Sequence, residues 1–160
     1  MAVFSAAQAL EMAVKIEEHG EAFYRAAREK SDDVQIQELF DELAAREQAH
    51  RRVFQDMAEG RVALADEPTS EPPTSDVGDY ASFLEVALDH AVFSGPDKAL
   101  RMAEQADDRA TILRAAMGLE KDTMLFYYDL REMVGDEERE LISDVIREEK
   151  QHLRRLATMA

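Results

Sequence analysis

Glu-x-x-His occurs twice in the chain, as Glu47-Gln48-Ala49-His50 and Glu149-Lys150-Gln151-His152. Upstream of each copy stands a glutamate followed seven positions later by a tyrosine. These are Glu17 with Tyr24, 30 residues before Glu47, and Glu120 with Tyr127, 29 residues before Glu149. Four carboxylates and two imidazoles in a repeated pattern are the donor set of a dinuclear metal site between four facing helices. An i, i+3 Glu–His pair shares one helix face, so a single cation can touch both side chains. Fe, Mn and Zn all accept such donors, so the residues leave the metal open.

For that chemistry the donors must point inward, and the apolar pattern says they do. In the last helical segment Ile142, Val145, Leu156 and Met159 form a stripe at steps of three and four, completed by Glu149 and His152. Ile36, Leu39 or Phe40, and Leu43 lead in the same way through Glu47 and His50 to Val53 or Phe54 and Met57. Leu10 and Val14 precede Glu17, and Leu113 and Met117 precede Glu120. Helical periodicity therefore places ionisable groups on core-facing stripes. A bare carboxylate in a core costs several kcal/mol or takes up a proton. Two divalent cations would neutralise four of them.

Turn chemistry marks the elements. The first helix is expected over Phe4 to Lys30, with Gly20 its one interruption. Ser31-Asp32-Asp33 supplies a turn and N-cap, and a second helix is expected from Val34 to Ala58, stopping near Gly60. Pro68, Pro72, Pro73 and Gly78 mark an exposed linker between Asp66 and Asp79. Short helices are expected over Tyr80 to Phe93 and Asp97 to Ala106. A long helix from Asp107 to Met133, a turn at Gly135-Asp136 and a last helix to Met159 complete the chain. No segment reads as a strand.

The expected fold is an all-α antiparallel four-helix bundle in a single domain over residues 1–160. A hairpin at 4–58 and another at 107–159 are joined by a long crossover at 59–106 containing one or two short helices. The two hairpins repeat each other: Glu17 maps to Glu120 and Tyr24 to Tyr127 at an offset of 103, and Glu47 to Glu149 and His50 to His152 at 102. Glu17 and Glu47 lie equally far from the first turn, roughly 22 Å at about 1.5 Å per residue. Glu120 and Glu149 are likewise equidistant from the second, so all six donors can meet near mid-bundle.

Composition narrows the function classes. A chain of 160 residues can bury a sizeable core. With 35 acidic and 19 basic residues, for a net charge of −16, its surface argues against nucleic-acid binding, which needs clustered Lys and Arg. No cysteine is present, which excludes disulfides, thiolate zinc sites and cysteine-held iron in this chain. Met1 to Leu10 lacks a basic stretch followed by a long apolar run, and no apolar run approaches a membrane span, so a cytoplasmic protein is expected.

Ile16-Glu17-Glu18-His19-Gly20-Glu21-Ala22-Phe23-Tyr24, Glu120-Lys121-Asp122 with Phe126-Tyr127, and the paired Glu-x-x-His motifs resemble the ferritin-like superfamily, and within it the rubrerythrin-type diiron-carboxylate proteins. The resemblance covers most of the chain apart from the linker. It implies that Glu47 and Glu149 bridge two metals, that Glu17 and Glu120 are terminal carboxylates, and that His50 and His152 each bind one metal. It implies two iron ions, cycling between ferrous and ferric, with Mn or Zn as substitutes. It also implies reaction of the diferrous site with hydrogen peroxide or dioxygen and re-reduction by an external electron-donor protein or reductant. The further partner expected is a second copy in a homodimer; nucleic acid and membrane are not expected.

Two departures stand out. Many rubrerythrins carry a rubredoxin-like domain with four cysteines, which this chain lacks. Rubrerythrins proper also carry a further glutamate one turn beyond the third-helix ligand, where this chain has Thr123. Competing readings are a ferroxidase for iron storage or delivery, and a non-catalytic interaction module stabilised by an inert metal.

Among other residues, Tyr24 and Tyr127 are expected to pack in the core with their hydroxyls satisfied, the alternatives being hydrogen bonds to ligand carboxylates or a role as nearby redox groups. His19 is expected on the solvated surface and His90 as a packing residue. Met102, Met117 and Met124 read as core filler. Lys150, Arg154 and Arg155 suit the C-terminal end of a helix dipole.

Overall fold

A computed structural model of the chain describes residues 5–60 and 96–160 and shows five helices and, among the described residues, no strand. They are α1 (Ala6–Lys30), α2 (Val34–Ala58), α3 (Pro96–Gln105), α4 (Arg109–Glu132) and α5 (Asp136–Met159). The expected helix over Tyr80 to Phe93, the Pro-rich linker and His90 lie outside the described residues.

Side-chain caps begin three of the four long helices, because first-turn amides have no intrahelical acceptor. Ser5 and Gln8 form a reciprocal capping box before α1, with Gln8 N donating to Ser5 Oγ at 3.2 Å and Ser5 N to Gln8 Oε1 at 2.9 Å. Asp33 accepts from the amides of Gln35 and Ile36, and Asp108 from that of Thr111. α2 ends where expected: Gly60 takes φ +67°, a left-handed conformation that lacks a steric penalty only for glycine. Gly20, by contrast, does not interrupt α1.

The four long helices form a ring in which α1 packs on α2 and α4, and α5 packs on α4 and α2. Tyr24 reaches Glu120 while Tyr127 reaches Glu17, so α1 and α4 run antiparallel. Arg155 with Glu42 and His50 with Glu148 give the same sense to α2 and α5. Helices α2 and α4 are both antiparallel to α1. They therefore point the same way. Helix α3 is the described part of the segment that joins them. Its buried Ala99 and Ala103 allow close approach to α1, and Lys30 Nζ donates to the Glu104 carbonyl.

Two apolar layers fill the interior. One contains Phe23, Phe40, Leu43, Leu113 and Leu156, and the other Leu10, Ile16, Phe54, Leu130 and Ile142. Met102 and Met117 pack against the first, as filler. One expectation is corrected: His19 is not solvated but buried, at 8% exposure. Helix α1 meets α2, α3 and α4, so a wider arc of its surface is covered than the single stripe through Glu17.

Candidate metal centre

Between the two apolar layers, near the middle of each long helix, lies a polar layer made by the six residues that the motifs single out. Glu17 comes from α1, Glu47 and His50 from α2, Glu120 from α4, and Glu149 and His152 from α5; all six are buried. Periodicity brings them there, since each occupies the apolar stripe of its helix. Donor atoms of Glu17, Glu47, His50 and Glu149 all lie within 4.8 Å of one another, as do those of Glu47, Glu120, Glu149 and His152. Glu47 and Glu149 belong to both groups.

Glu149 sits between the two imidazoles. Its Oε1 is 3.0 Å from His50 Nδ1 and its Oε2 is 2.8 Å from His152 Nδ1. The rings stack at 5.7 Å between centroids. Both Nδ1 atoms thus turn inward. Glu17 Oε2 lies 3.7 Å from His50 Nδ1, and Glu47 Oε1 3.8 Å from His152 Nδ1. These two oxygens are buried and lack a hydrogen-bond partner among the described residues. Buried polar atoms are seldom left so, and a cation in this layer would satisfy them.

Tyr24 donates to Glu120 and Tyr127 donates to Glu17, so each tyrosine reaches across to the glutamate of the other hairpin. Both phenols are buried completely and held well above their ordinary pKa by burial and by the adjacent carboxylate. They remain neutral donors.

The charge balance without a cation is uneven. Burial, then the Glu149 charge, pushes Glu47 and Glu120 well above the carboxylate range, and burial raises Glu17. Burial also acts to raise Glu149, but its bonds to His152 and His50 outweigh this and hold it below its ordinary value. Burial acts to lower both histidines. Glu120 and Glu149 overcome it to bring His152 up to about 9, and Glu149 and Glu17 raise His50. Protons are shared where the donor set suits divalent cations.

Three residues escaped the motif reading. A Cβ built on Gly20 would lie 2.5 Å from Glu47 Oε2, so the bare backbone leaves room for that carboxylate. The repeat offered a signal: at an offset of 103, Gly20 corresponds to Thr123, which is also buried. Glu138 on the first turn of α5 is fully buried, and neither carboxylate oxygen has a hydrogen-bond partner among the described residues. Extending the stripe from Ile142 back by four positions would have found it. Glu148, beside Glu149 in sequence, places Oε2 3.1 Å from His50 Nε2. Adjacency to a motif residue gave no sign of that contact.

A surface cleft of about 370 Å³ between α2 and α5 reaches His152 and is bordered by Glu42, Arg46, Glu148 and Arg155. No helix among the described residues is long and apolar enough to cross a membrane.

Comparison with known proteins agrees with this geometry. The family described as Rubrerythrin matches residues 8–160. The crystal structure of a candidate ferritin-like diiron-carboxylate protein from Thermotoga maritima superposes with a TM-score of 0.68 at 26% identity, covering 99% of this chain and 96% of that one. No curated protein matches the sequence.

Proposed function

We propose, since the chain belongs to the rubrerythrin family, that Glu17, Glu47, His50, Glu120, Glu149 and His152 hold two iron ions and that the reduced centre passes electrons to hydrogen peroxide or dioxygen. The observation that carries this reading is the pair of overlapping donor groups sharing Glu47 and Glu149. The shared carboxylates would bridge, while Glu17 with His50 and Glu120 with His152 would complete one position each. The similarity to a candidate diiron-carboxylate protein supports iron as the metal.

Two ferrous ions, when bound, supply two electrons, which with two protons reduce hydrogen peroxide to two waters or dioxygen to hydrogen peroxide. The chain's own residues supply the setting. The apolar layers around the donors exclude bulk water, and Tyr24 and Tyr127 fix the terminal carboxylates from opposite hairpins. The cleft beside His152 offers a small oxidant an approach.

With no cysteine in this chain to hold a second redox iron, the electrons that restore the ferrous state come from an external protein or reductant. Thr123 offers a hydroxyl where a seventh carboxylate is expected, so the donor set is limited to six.

The test is stopped-flow absorbance of the anaerobic diferrous protein mixed with stoichiometric peroxide or dioxygen. Faster oxidation by peroxide, with added reductant needed for further turnover, is the expected result. Oxidation by dioxygen alone, with ferric mineral accumulating, would assign the protein to iron storage. Inertness to both, in protein that purifies with zinc, would leave a structural metal site.

A further inference from the structure

The two halves of the centre repeat each other in their inward-facing donors but not behind their imidazoles. His50 turns Nδ1 toward Glu17 and Glu149, and its outward Nε2 lies 3.1 Å from Glu148 Oε2. The offset of 102 that maps His50 to His152 maps Arg46 to Glu148. The residue standing where His152 would need a carboxylate is therefore an arginine, which has no acceptor atom. Among the described residues, the ion-pair contacts of His152 are all made by Nδ1, to Glu149 at 2.8 Å, Glu120 at 3.7 Å and Glu47 at 3.8 Å. His152 also borders the cleft between α2 and α5.

A neutral imidazole carries one proton, and an acceptor on one nitrogen decides where that proton sits. A carboxylate at Nε2 fixes the proton there, leaves the Nδ1 lone pair free to bind a cation, makes that nitrogen more basic and locks the ring's rotation. Among the described residues, His50 has this arrangement and His152 does not.

We infer that Glu148 is a positioning residue for one metal position only, so that the position completed by Glu17 and His50 binds its metal more tightly than the one completed by Glu120 and His152. This rests on the dinuclear reading above and goes beyond it by making the two positions unequal. Glu148 is 43% exposed on its side chain, so replacing it leaves no buried hole. Its ion pair with Arg46, at 3.9 Å between half-exposed groups, is weak.

The experiment is calorimetric titration of metal-free protein with cobalt(II). Wild type is expected to bind two ions in two resolved steps. Glu148→Ala should weaken the tighter step by about 10–100-fold and leave the other unchanged. Glu148→Gln, which keeps an acceptor oxygen, should restore most of the loss. Against a His152→Ala background the effect of Glu148→Ala should persist, and against His50→Ala it should vanish. Equal weakening of both steps would mean a general loss of negative charge and would overturn the inference. So would no change in either step, or an undiminished effect without His50. Wild type that binds no cobalt would sink the dinuclear reading itself, an outcome distinct from two ions bound indifferently to Glu148.

Discussion

The Tyr24 hydroxyl on α1 donates a hydrogen bond to the Glu120 carboxylate on α4, 96 positions away in sequence. Tyr127 returns the bond to Glu17. The exchange cross-links the two hairpins at the level of the proposed metals, with each donor seven residues from its own helix's glutamate. A bond to a buried carboxylate contributes about 1.5–3 kcal/mol. Tyr24→Phe and Tyr127→Phe should each lose roughly that much stability in urea unfolding of metal-loaded protein, while metal content stays at two ions per chain. Unfolding midpoints equal to wild type would show that the bonds are idle.

Gly20 and Gly118 make a paired test. A Cβ at Gly20 would meet Glu47 Oε2 at 2.5 Å, whereas one at Gly118 would meet nothing within 4 Å. Alanine at an open helical site gains about 0.5–1 kcal/mol. Gly118→Ala should therefore raise the melting temperature with metal affinity unchanged. Gly20→Ala should displace the Glu47 carboxylate and weaken metal binding at both positions, because Glu47 belongs to both donor groups. Wild-type affinity in Gly20→Ala would show that Glu47 can shift freely.

Much of this centre was legible because helical period ties burial to sequence. Glu149 and His152 continue the phase of Ile142 and Val145, so their inward direction follows without coordinates. Asp33 and Gly60 announced the limits of α2 through cap and left-handed backbone chemistry that act locally. His19 was misplaced because its burial depends on how many helices surround α1, which no local pattern encodes. The contact of Glu148 with His50 depends on the rotation of α5 against α2. The room for Glu47 at Gly20 depends on the separation of α1 and α2. Such properties belong to pairs of helices, and periodicity within one helix does not record them.

The proton balance gives metal-free protein a definite pH dependence. His152, raised from its usual 6.5 to about 9 when folded, contributes stability that is full below about pH 6.5 and lost as pH rises through about 9. Glu47 and Glu120 have raised folded values, so their contribution also falls as pH rises past their ordinary 4.5. Glu149, held low, acts in the opposite direction only in acid. The melting temperature of metal-free protein should thus decline from pH 6 toward pH 9.5, by differential scanning calorimetry. Metal loading should flatten the slope, since cations replace the protons. A metal-free melting temperature that rises over this range would refute the balance.

Glu138 should be a liability to stability. Both its oxygens are buried without a hydrogen-bond partner among the described residues. Leaving such a group unsatisfied costs about 1–3 kcal/mol, and an apolar side chain of similar size removes the cost. Glu138→Leu should raise the unfolding free energy by about that amount without changing metal content. A less stable variant would show that the carboxylate has a use at the start of α5.

The most direct test of the dinuclear centre is anomalous diffraction, recorded on either side of the iron absorption edge, from crystals of protein purified without added metal. Two iron peaks about 3.5–4 Å apart are expected within the polar layer. Glu47 and Glu149 should contact both, Glu17 and His50 one, and Glu120 and His152 the other. A single peak, peaks away from these six side chains, or no anomalous signal at the iron edge would contradict it.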